Sequence, residues 1–315
     1  MTSVLSFMSG GAPRRRDRLN PFVVILPLSI AMLLSLATDD FLSVENLLNL
    51  FNQAAPLLIL SFGLLFPVLT GGIDISNGAL LSVCAGFLVT QDPATGIVFA
   101  GGLAVATGVF NGIGVALLKV HPIVMALGTM IIFLGLSPIV LPAAGGDVSD
   151  SLIYLVRGDL FGIPISLIWC IVASLFVWVV VSRSAFGTRV YAIGANEEAV
   201  WLSGVKSHLA IILCYVISSV SAFFAALYIV GRVGSSTATI GEPLILSSIT
   251  AVAIGGVLLS GGIGSVGGVI CGVAALTFIN NGMNHLSIDP FLQQVITGGI
   301  LLVAIGFQRR EEIGV

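Results

Sequence analysis

The chain is dominated by apolar runs that are each about as long as a bilayer is thick. A helix needs about 20 apolar residues to cross the hydrocarbon core, and by this measure the sequence divides into about ten candidate spans. They lie at residues 21–38, 53–70, 75–90, 96–118, 123–142, 163–181, 208–231, 243–260, 263–282 and 291–307. With 57% hydrophobic and 9% charged residues among 315, a soluble globule would lack polar surface. We therefore expect an all-α polytopic membrane protein with about ten transmembrane helices.

Glycine interrupts several of these runs, most clearly before the third span. Residues 71–78 read GGIDISNG, which fits either a broken or re-entrant helix or a regular one. Irregular backbone at membrane depth must be satisfied by protein or by a water-filled cavity. The same spacing recurs, with GGI at 261–263 and Gly268 matching GGI at 71–73 and Gly78. Such segments either line a pathway as internal repeats or let helices approach closely.

The basic residues orient the chain. The positive-inside rule favours an even number of crossings with both termini in the cytoplasm. In that topology all the lysines and arginines except Arg157 and Arg232 lie on the cytoplasmic side. The inside set is Arg14, Arg15, Arg16, Arg18, Lys119, Arg183, Arg189, Lys206, Arg309 and Arg310. This predicts a basic N-terminal segment (1–20), one transmembrane domain (21–307) and a short tail (308–315). A net charge of −3 without a basic patch excludes nucleic-acid binding.

One polar stretch, residues 182–207, predicts a cytoplasmic loop and a short helix to which a soluble partner could bind. Asn196 is a good N-cap, Glu197 and Glu198 suit the first turn, and Gly204 suits the end. Between them Ala199, Val200, Trp201 and Leu202 supply an apolar surface on a helix too short to be stable alone. The alternative is a membrane-surface helix with its tryptophan at the headgroups.

Polar groups inside the predicted spans are candidates to face a translocation path, because they are costly in lipid. They are Asp74, Asn77, Asn111, Asn280, Asn281, Asn284 and Gln293. For the amides the alternative role is an interhelical hydrogen bond, and for Asp74 it is capping a helix.

The sequence shows no catalytic or metal-binding pattern. The four cysteines lie in apolar runs without metal or redox spacing, and the three histidines lie at span edges without ligand partners. The sequence has no Gly-x-x-x-x-Gly-Lys-Ser/Thr phosphate loop either. Any energy from ATP must therefore come from a partner chain. The competing readings are a self-contained secondary or facilitative transporter and a membrane scaffold without transport activity.

Five motifs occur in an order that resembles the ribose-type permeases of ABC importers. They are GGIDIS at 71–76, HPIVMALGTM at 121–130, FGTRVYAIGANEEA at 186–199, AIGGVLLSGGIGSVGG at 253–268, and NNGMN at 280–284 with the glutamines at 293 and 294 beyond. Because these motifs are spread over nearly the whole chain, the resemblance is specific for the family and much less so for the solute.

The resemblance implies the permease subunit of a bacterial inner-membrane importer that moves a monosaccharide or similar small polar solute by alternating access. Implied partners are a second permease copy or paralogue, cytoplasmic ABC ATPase subunits that use ATP and Mg, an external solute-binding protein, and membrane lipid, with no cofactor in this chain. Residues 196–204 match the family's coupling helix, which docks into the ATPase. Residues 143–161 would help receive the binding protein, with Asp147, Asp150, Arg157 and Asp159 as candidate docking charges.

The chain departs from the family pattern at two places. Where the family commonly has an acidic pair in Glu-Leu-Asp-Ala-Ile, this chain has Ile245 and Ser247, and the first motif continues with Asn77 and Ala79 where an apolar residue and a serine are commoner. Either change indicates a different solute or a permease that pairs with a non-identical sister. A branched-chain amino-acid permease of related architecture is the closest substrate alternative.

Overall fold

The computed structural model describes residues 21–38 and 40–307, and these form thirteen helices and one short hairpin. In chain order the elements are α1 (Pro21–Ala37), α2 (Val44–Leu69), α3 (Asn77–Thr90), α4 (Pro93–Ala116), α5 (Pro122–Val140), α6 (Asp150–Arg157), β1 (Asp159–Leu160), β2 (Ile163–Pro164), α7 (Ile165–Arg183), α8 (Ala185–Ala195), α9 (Glu197–Leu202), α10 (Ser207–Val233), α11 (Glu242–Ile254), α12 (Val266–His285) and α13 (Pro290–Phe307). The antiparallel hairpin pairs Asp159 with Pro164. The predicted N-terminal segment and tail, with their six arginines, lie outside the described residues.

The described helices confirm an all-α protein built to cross a membrane several times. Six of them, α2, α4, α5, α7, α10 and α12, are long and apolar enough to span a bilayer. Four shorter apolar helices, α1, α3, α11 and α13, coincide with the other four predicted spans. The count of ten crossings and the cytoplasmic location of both termini stay predictions.

Two predicted boundaries are wrong for local reasons. Helix α2 begins at Val44 and not at residue 53, because Ser43 caps it by accepting a hydrogen bond from the Asn46 N–H at 3.2 Å. Helix α11 ends at Ile254 and not at residue 260, because Gly256 (φ +73°) turns the chain away from the helical path. In both cases a local backbone contact overrides the apolar pattern.

Helices α2 and α10 form the centre of the fold. From Ala55 to Leu69 every residue of α2 is buried, and α10 packs along α2, α3 and α4. A β-carbon on Gly108 or Gly112 of α4 would overlap the α10 backbone at Val216 or Ile212. Small residues at these positions let the helices approach closely, as is usual for packing in lipid. The surrounding helices α1, α5, α7 and α13 expose large apolar side chains outward.

The two glycine-rich breaks lie against each other. The first break, residues 70–76, joins α2 to α3, and the second, residues 255–265, joins α11 to α12. The Gly262 N–H donates to the Leu69 carbonyl at 2.9 Å, and a β-carbon on Gly261 would lie 2.8 Å from the Gly71 nitrogen. The repeated spacing in the sequence therefore corresponds to a close contact between the two breaks, and the second break also donates one backbone hydrogen bond to the last residue of α2.

The contact between the breaks predicts that adding one methyl group at Gly261 lowers the unfolding free energy substantially. Gly261 has φ +98°, so Gly261→Ala introduces both backbone strain and an overlap, and we expect a loss of about 1–3 kcal/mol in unfolding free energy. Thermal unfolding in detergent measures it. The matched control is Gly298→Ala in α13, where a β-carbon meets nothing within 4 Å. Equal melting temperatures for the two variants would contradict the tight contact.

Candidate functional site

The polar stretch 182–207 folds into two consecutive helices at one end of the molecule. Residues 185–195, predicted as loop, form helix α8 instead, because Ser184 caps it by accepting from the Gly187 N–H at 3.1 Å. The short helix α9 follows as predicted. Asn196 is its N-cap and accepts from the Ala199 N–H at 2.8 Å, and Gly204 (φ +79°) follows its end.

Helix α9 presents an exposed apolar surface. Its Val200 packs against a small buried cluster that includes Ile193 and Ile211. By contrast Trp201 is 67% exposed and Leu202 is 71% exposed. Large apolar side chains that project together from a polar segment mark a place where another surface packs.

An ion pair joins α9 to the end of α4. Lys119 Nζ lies 3.1 Å from Glu197 Oε1, with both side chains largely exposed. On one side of the pair is a cavity of about 520 Å³ bordered by Glu198 and Trp201, and on the other a cavity of about 320 Å³ that reaches Gly71 in the first break. Exposed pairs contribute only about 0–1 kcal/mol, so this link holds α9 in place without locking it.

Helix α8 ends on the two breaks. A β-carbon on Gly194 would overlap the Leu69 carbonyl oxygen and the Gly262 nitrogen. The buried Tyr191 hydroxyl donates to the Gly264 carbonyl at 2.7 Å. The helix that precedes α9 is thus in direct backbone contact with both breaks.

A buried polar network starts from the first break. Asp74 Oδ1 accepts from the Ser76 N–H at 3.1 Å and from the Ser76 hydroxyl at 2.6 Å, a turn that leads into α3. Asn111 of α4 donates to the Ser76 hydroxyl oxygen at 3.1 Å, and Thr129 of α5 donates to Asn111 Oδ1 at 2.6 Å. The network therefore ties the break to two long helices.

Several polar atoms around this network have no hydrogen-bond partner among the described residues. They are Asp74 Oδ2, both amide atoms of Asn77, and the hydroxyls of Tyr215 and Ser218. The two hydroxyls lie on α10 near Asp74. An unsatisfied buried group costs about 1–3 kcal/mol, so a cluster of them indicates a place built for more than packing.

The other predicted path residues lie elsewhere. Asn281 of α12 forms a reciprocal amide pair with Asn46 of α2, at 2.8 and 3.2 Å. Gln293 of α13 donates to Asn284 Oδ1 at 2.9 Å, and Asn280 is half-buried on α12. Asn281, Asn284 and Gln293 thus make the interhelical bonds of the alternative reading, and the seven candidates do not converge on one site.

The candidate docking segment lies at the opposite end of α7 from α8. Its Asp147, Asp150, Arg157 and Asp159 are all exposed, on or beside helix α6 and the hairpin. Arg157 is held in place, because its Nε donates to the Arg232 carbonyl at 2.8 Å.

The two departures from the family pattern meet in space. The start of α3 packs against the start of α11, so that a β-carbon on Gly78 would overlap Ile245 Cγ1. Asn77, whose amide has no partner, thus lies next to the contact that Ile245 makes with α3. Ile245 stands at the position where the family commonly has an acidic residue.

Sequence reasoning missed Ser76, Thr129, Tyr215, Ser218 and Lys119. Ser76 and Thr129 stand inside quoted motifs, at the end of GGIDIS and near the end of HPIVMALGTM, but a hydroxyl in an apolar run carries no separate signal. Tyr215 and Ser218 are recognisable only once α10 is placed beside the first break.

Comparisons with known proteins agree with this architecture. A family model described as "Branched-chain amino acid transport system / permease component" matches residues 46–305. The chain is 33% identical over 303 residues to the ribose import permease protein of Bacillus subtilis, covering 94% of each chain. It is 33% identical to the galactose/methyl galactoside import permease protein of Salmonella typhimurium, over 90% of this chain and 91% of the relative. It is also 29% identical to the D-allose transport system permease protein of Escherichia coli, over 90% of each. No solved structure matches.

The network predicts that the buried Thr129 contributes more to the unfolding free energy than the buried Thr107 does. Thr129→Val removes the donor to Asn111 Oδ1, and we expect it to lower the unfolding free energy by about 1–2 kcal/mol. Thr107→Val is the matched control, because Thr107 is also buried and its hydroxyl donates only to its own helix at Leu103. Thermal unfolding in detergent compares the two. Equal losses would mean that the bond to Asn111 contributes nothing of its own.

Proposed function

Because this chain belongs to the branched-chain amino acid transport system / permease component family, we propose that it is the permease subunit of an ATP-driven monosaccharide importer. The relatives named above are permeases for ribose, galactose and allose, and the chain is a multi-pass protein of the bacterial inner membrane. Partner ATPase subunits, which use ATP and Mg, an external solute-binding protein and a second permease chain complete the proposed assembly.

The observation that carries this proposal is the exposed surface of α9. Trp201 and Leu202 project from a helix that is too short to be stable alone and is held by its cap, by the packing of Val200 and by the pair with Lys119. A secondary transporter or a channel has no need of such a surface. We propose that it docks into the cytoplasmic ATPase and that both termini lie on the same side of the membrane.

Movement of α9 has a short route to the membrane interior. Helix α8 joins α9 at Asn196 and touches both breaks through Gly194 and Tyr191. When the ATPase dimer closes, α8 displaces the breaks, and the breaks carry α3 and α11 with them. Alternating access then arises as a switch between two packed arrangements of these helices.

The chemistry around Asp74 favours an uncharged polar solute over an amino acid. The unpartnered groups there are an amide, two hydroxyls and one carboxylate oxygen, which suit the hydroxyl groups of a sugar. A lysine or arginine is one common partner for the carboxylate of an amino acid, and none belongs to this network in the part of the chain that the structure describes. We propose that Asp74, Asn77 and Asn111 approach the path in another state of the cycle.

The coupling proposal predicts the loss of solute-driven ATP hydrolysis on changing α9. Glu198→Lys with Trp201→Ala should lower the affinity for the ATPase by about tenfold or more, because tryptophans at the centre of an interface contribute about 2 kcal/mol or more. The measurement is ATPase activity of the purified complex in lipid discs, with and without the external binding protein.

The matched control changes an acid and an apolar side chain at the other end of the molecule. Leu42→Ala with Glu45→Lys alters two exposed residues at the start of α2 and should leave co-purification and basal hydrolysis intact. A chain that purifies alone and still moves solute in liposomes without ATP would overturn the importer proposal.

A substitution at Asn77 can distinguish a role in the translocation path from a role in helix packing. Both amide atoms are buried without a partner, so Asn77→Leu should raise the unfolding free energy by about 1–3 kcal/mol. If Asn77 also meets the solute, uptake of radiolabelled sugar into vesicles should fall while stability rises. The control is Asn281→Leu, which breaks the pair with Asn46 and should lower stability. Unchanged uptake by a stabilised Asn77→Leu variant would exclude the path role.

A further inference from the structure

A second polar site lies at the opposite end of α10 from the coupling helix. Arg157 of α6 and Arg232 of α10 border a cavity of about 290 Å³ together with Asn49, Asn52 and Gln53 of α2. Arg157 Nε donates to the Arg232 carbonyl at 2.8 Å, and Arg232 Nη1 donates to the Asn52 carbonyl at 2.7 Å. Each guanidinium is thus held by backbone oxygen and has further donors to offer, because arginine carries five N–H groups.

The two positive charges have no acidic partner. Arg157 and Arg232 lie close enough for their charges to repel. Across residues 21–38 and 40–307 the only ion pair is that of Lys119 with Glu197. Two fixed guanidinium groups without a counter-charge favour an anion, and their planar geometry suits phosphate.

An apolar groove lies further along α2 and α10 from this polar mouth. The groove has a volume of about 480 Å³ and runs between α2, α7 and α10, with Ile59, Gly63 and Ser221 among its walls. Asn52, Ile59 and Gly63 fall on one face of α2, and Arg232 and Ser221 fall on one face of α10, by the helical period of 3.6 residues. The charged mouth and the apolar groove are therefore two parts of one furrow.

The depth of the furrow matches one leaflet of a bilayer. At about 1.5 Å per residue, Asn52 and Gly63 are separated by about 16 Å along α2, close to half of the ~30 Å hydrocarbon core. Two aromatic side chains lie between mouth and groove. Tyr228 donates its hydroxyl to Asn52 Oδ1 at 3.1 Å, and Trp169 Nε1 donates to the Leu155 carbonyl at 3.1 Å. Tyr228 is fully buried, whereas Trp169 is partly exposed and borders the groove, so its ring with a polar tip suits the headgroup level.

We propose that this furrow binds one phospholipid, with its phosphate between Arg157 and Arg232 and one acyl chain in the groove. In the predicted topology the lipid belongs to the outer leaflet, and it fastens α2, α6, α7 and α10 together where α6 carries the candidate docking charges. A carboxylate of an external protein would also suit the arginines, but it leaves the apolar groove without an occupant. The lipid site does not depend on which solute is transported.

Lipid binding to the purified chain, together with any subunits that co-purify, tests the site. Native mass spectrometry follows the titration with dioleoyl phosphatidylglycerol and, separately, with dioleoylglycerol, which has the same chains and no phosphate. One tight site is expected for the phospholipid alone. Arg157→Gln should weaken it by about tenfold, as expected for hydrogen bonds to a charged group. Arg189→Gln removes the same charge on an exposed position of α8 and should have no effect.

A second pair of variants tests the groove without touching the arginines. Val172→Trp fills the groove from a side chain that is 59% exposed, so the change does not disturb the core, and it should lower lipid occupancy. Ile171→Trp, at a neighbouring position of α7 that is 55% exposed and does not border the groove, should leave occupancy unchanged.

Three results would overturn the proposal. The first is equal binding of the two lipids, and the second is lipid binding that neither Arg157→Gln nor Val172→Trp changes. The third is an Arg157→Gln variant that keeps its lipid and loses affinity for the external solute-binding protein, which would assign the mouth to protein docking. Should Arg157→Gln fail to fold, the comparison of the two lipids and the comparison of Val172→Trp with Ile171→Trp still test the proposal. The ATPase assay on α9 is independent of every one of these outcomes.

Discussion

The need to satisfy backbone hydrogen bonds away from water governs this fold. Irregular backbone inside a bilayer is tolerated only where protein or trapped water supplies the partners. Here the turns of the first break satisfy their own N–H groups at the end of α2, the second break donates from Gly262 to Leu69, and Gly261 approaches Gly71 closely. The contact lies in the segments that lead into α3 and out of α11. It also places both short helices beside the central pair α2 and α10.

The same contact gives the proposed coupling surface on α9 a physical connection to the centre of the fold. The end of α8 rests on both breaks at Gly194, and Tyr191 adds a buried hydrogen bond to Gly264. The breaks lead in turn to Asp74 and its network, which reaches α4 and α5. The connection from α8 to the network thus combines backbone contacts at Gly194 with side-chain hydrogen bonds from Tyr191, Asn111 and Thr129.

Much of this arrangement could be predicted from the sequence, and the rest depends on contacts that no local pattern contains. The ten apolar helices, the cap at Asn196 and the break before α3 each follow from spacing and residue type. Helix α8 was predicted as loop from its place in a polar stretch, and in the structure its glycines at 187 and 194 allow close packing against Val181 and Leu69. The polar candidates were identified as a set, but only the packing of α10 beside the first break separates Asp74 and Asn77 from the amide pairs of Asn281 and Gln293. The family resemblance gave the partners and the coupling role, which a single chain cannot display.

The meeting of Gly71, Gly194 and Gly261 also limits how such a chain can diverge. A contact made of backbone atoms cannot be repaired by a second substitution once the first has been made, since no side chain is present to be shortened in return. Change is therefore directed to neighbouring positions that carry side chains, and Asn77 and Ile245 are two of these at the contact between α3 and α11. Two related subunits that both keep this glycine contact would therefore differ first at the contact between α3 and α11. The glycine contact would be the same in both, and the α3–α11 contact would distinguish them.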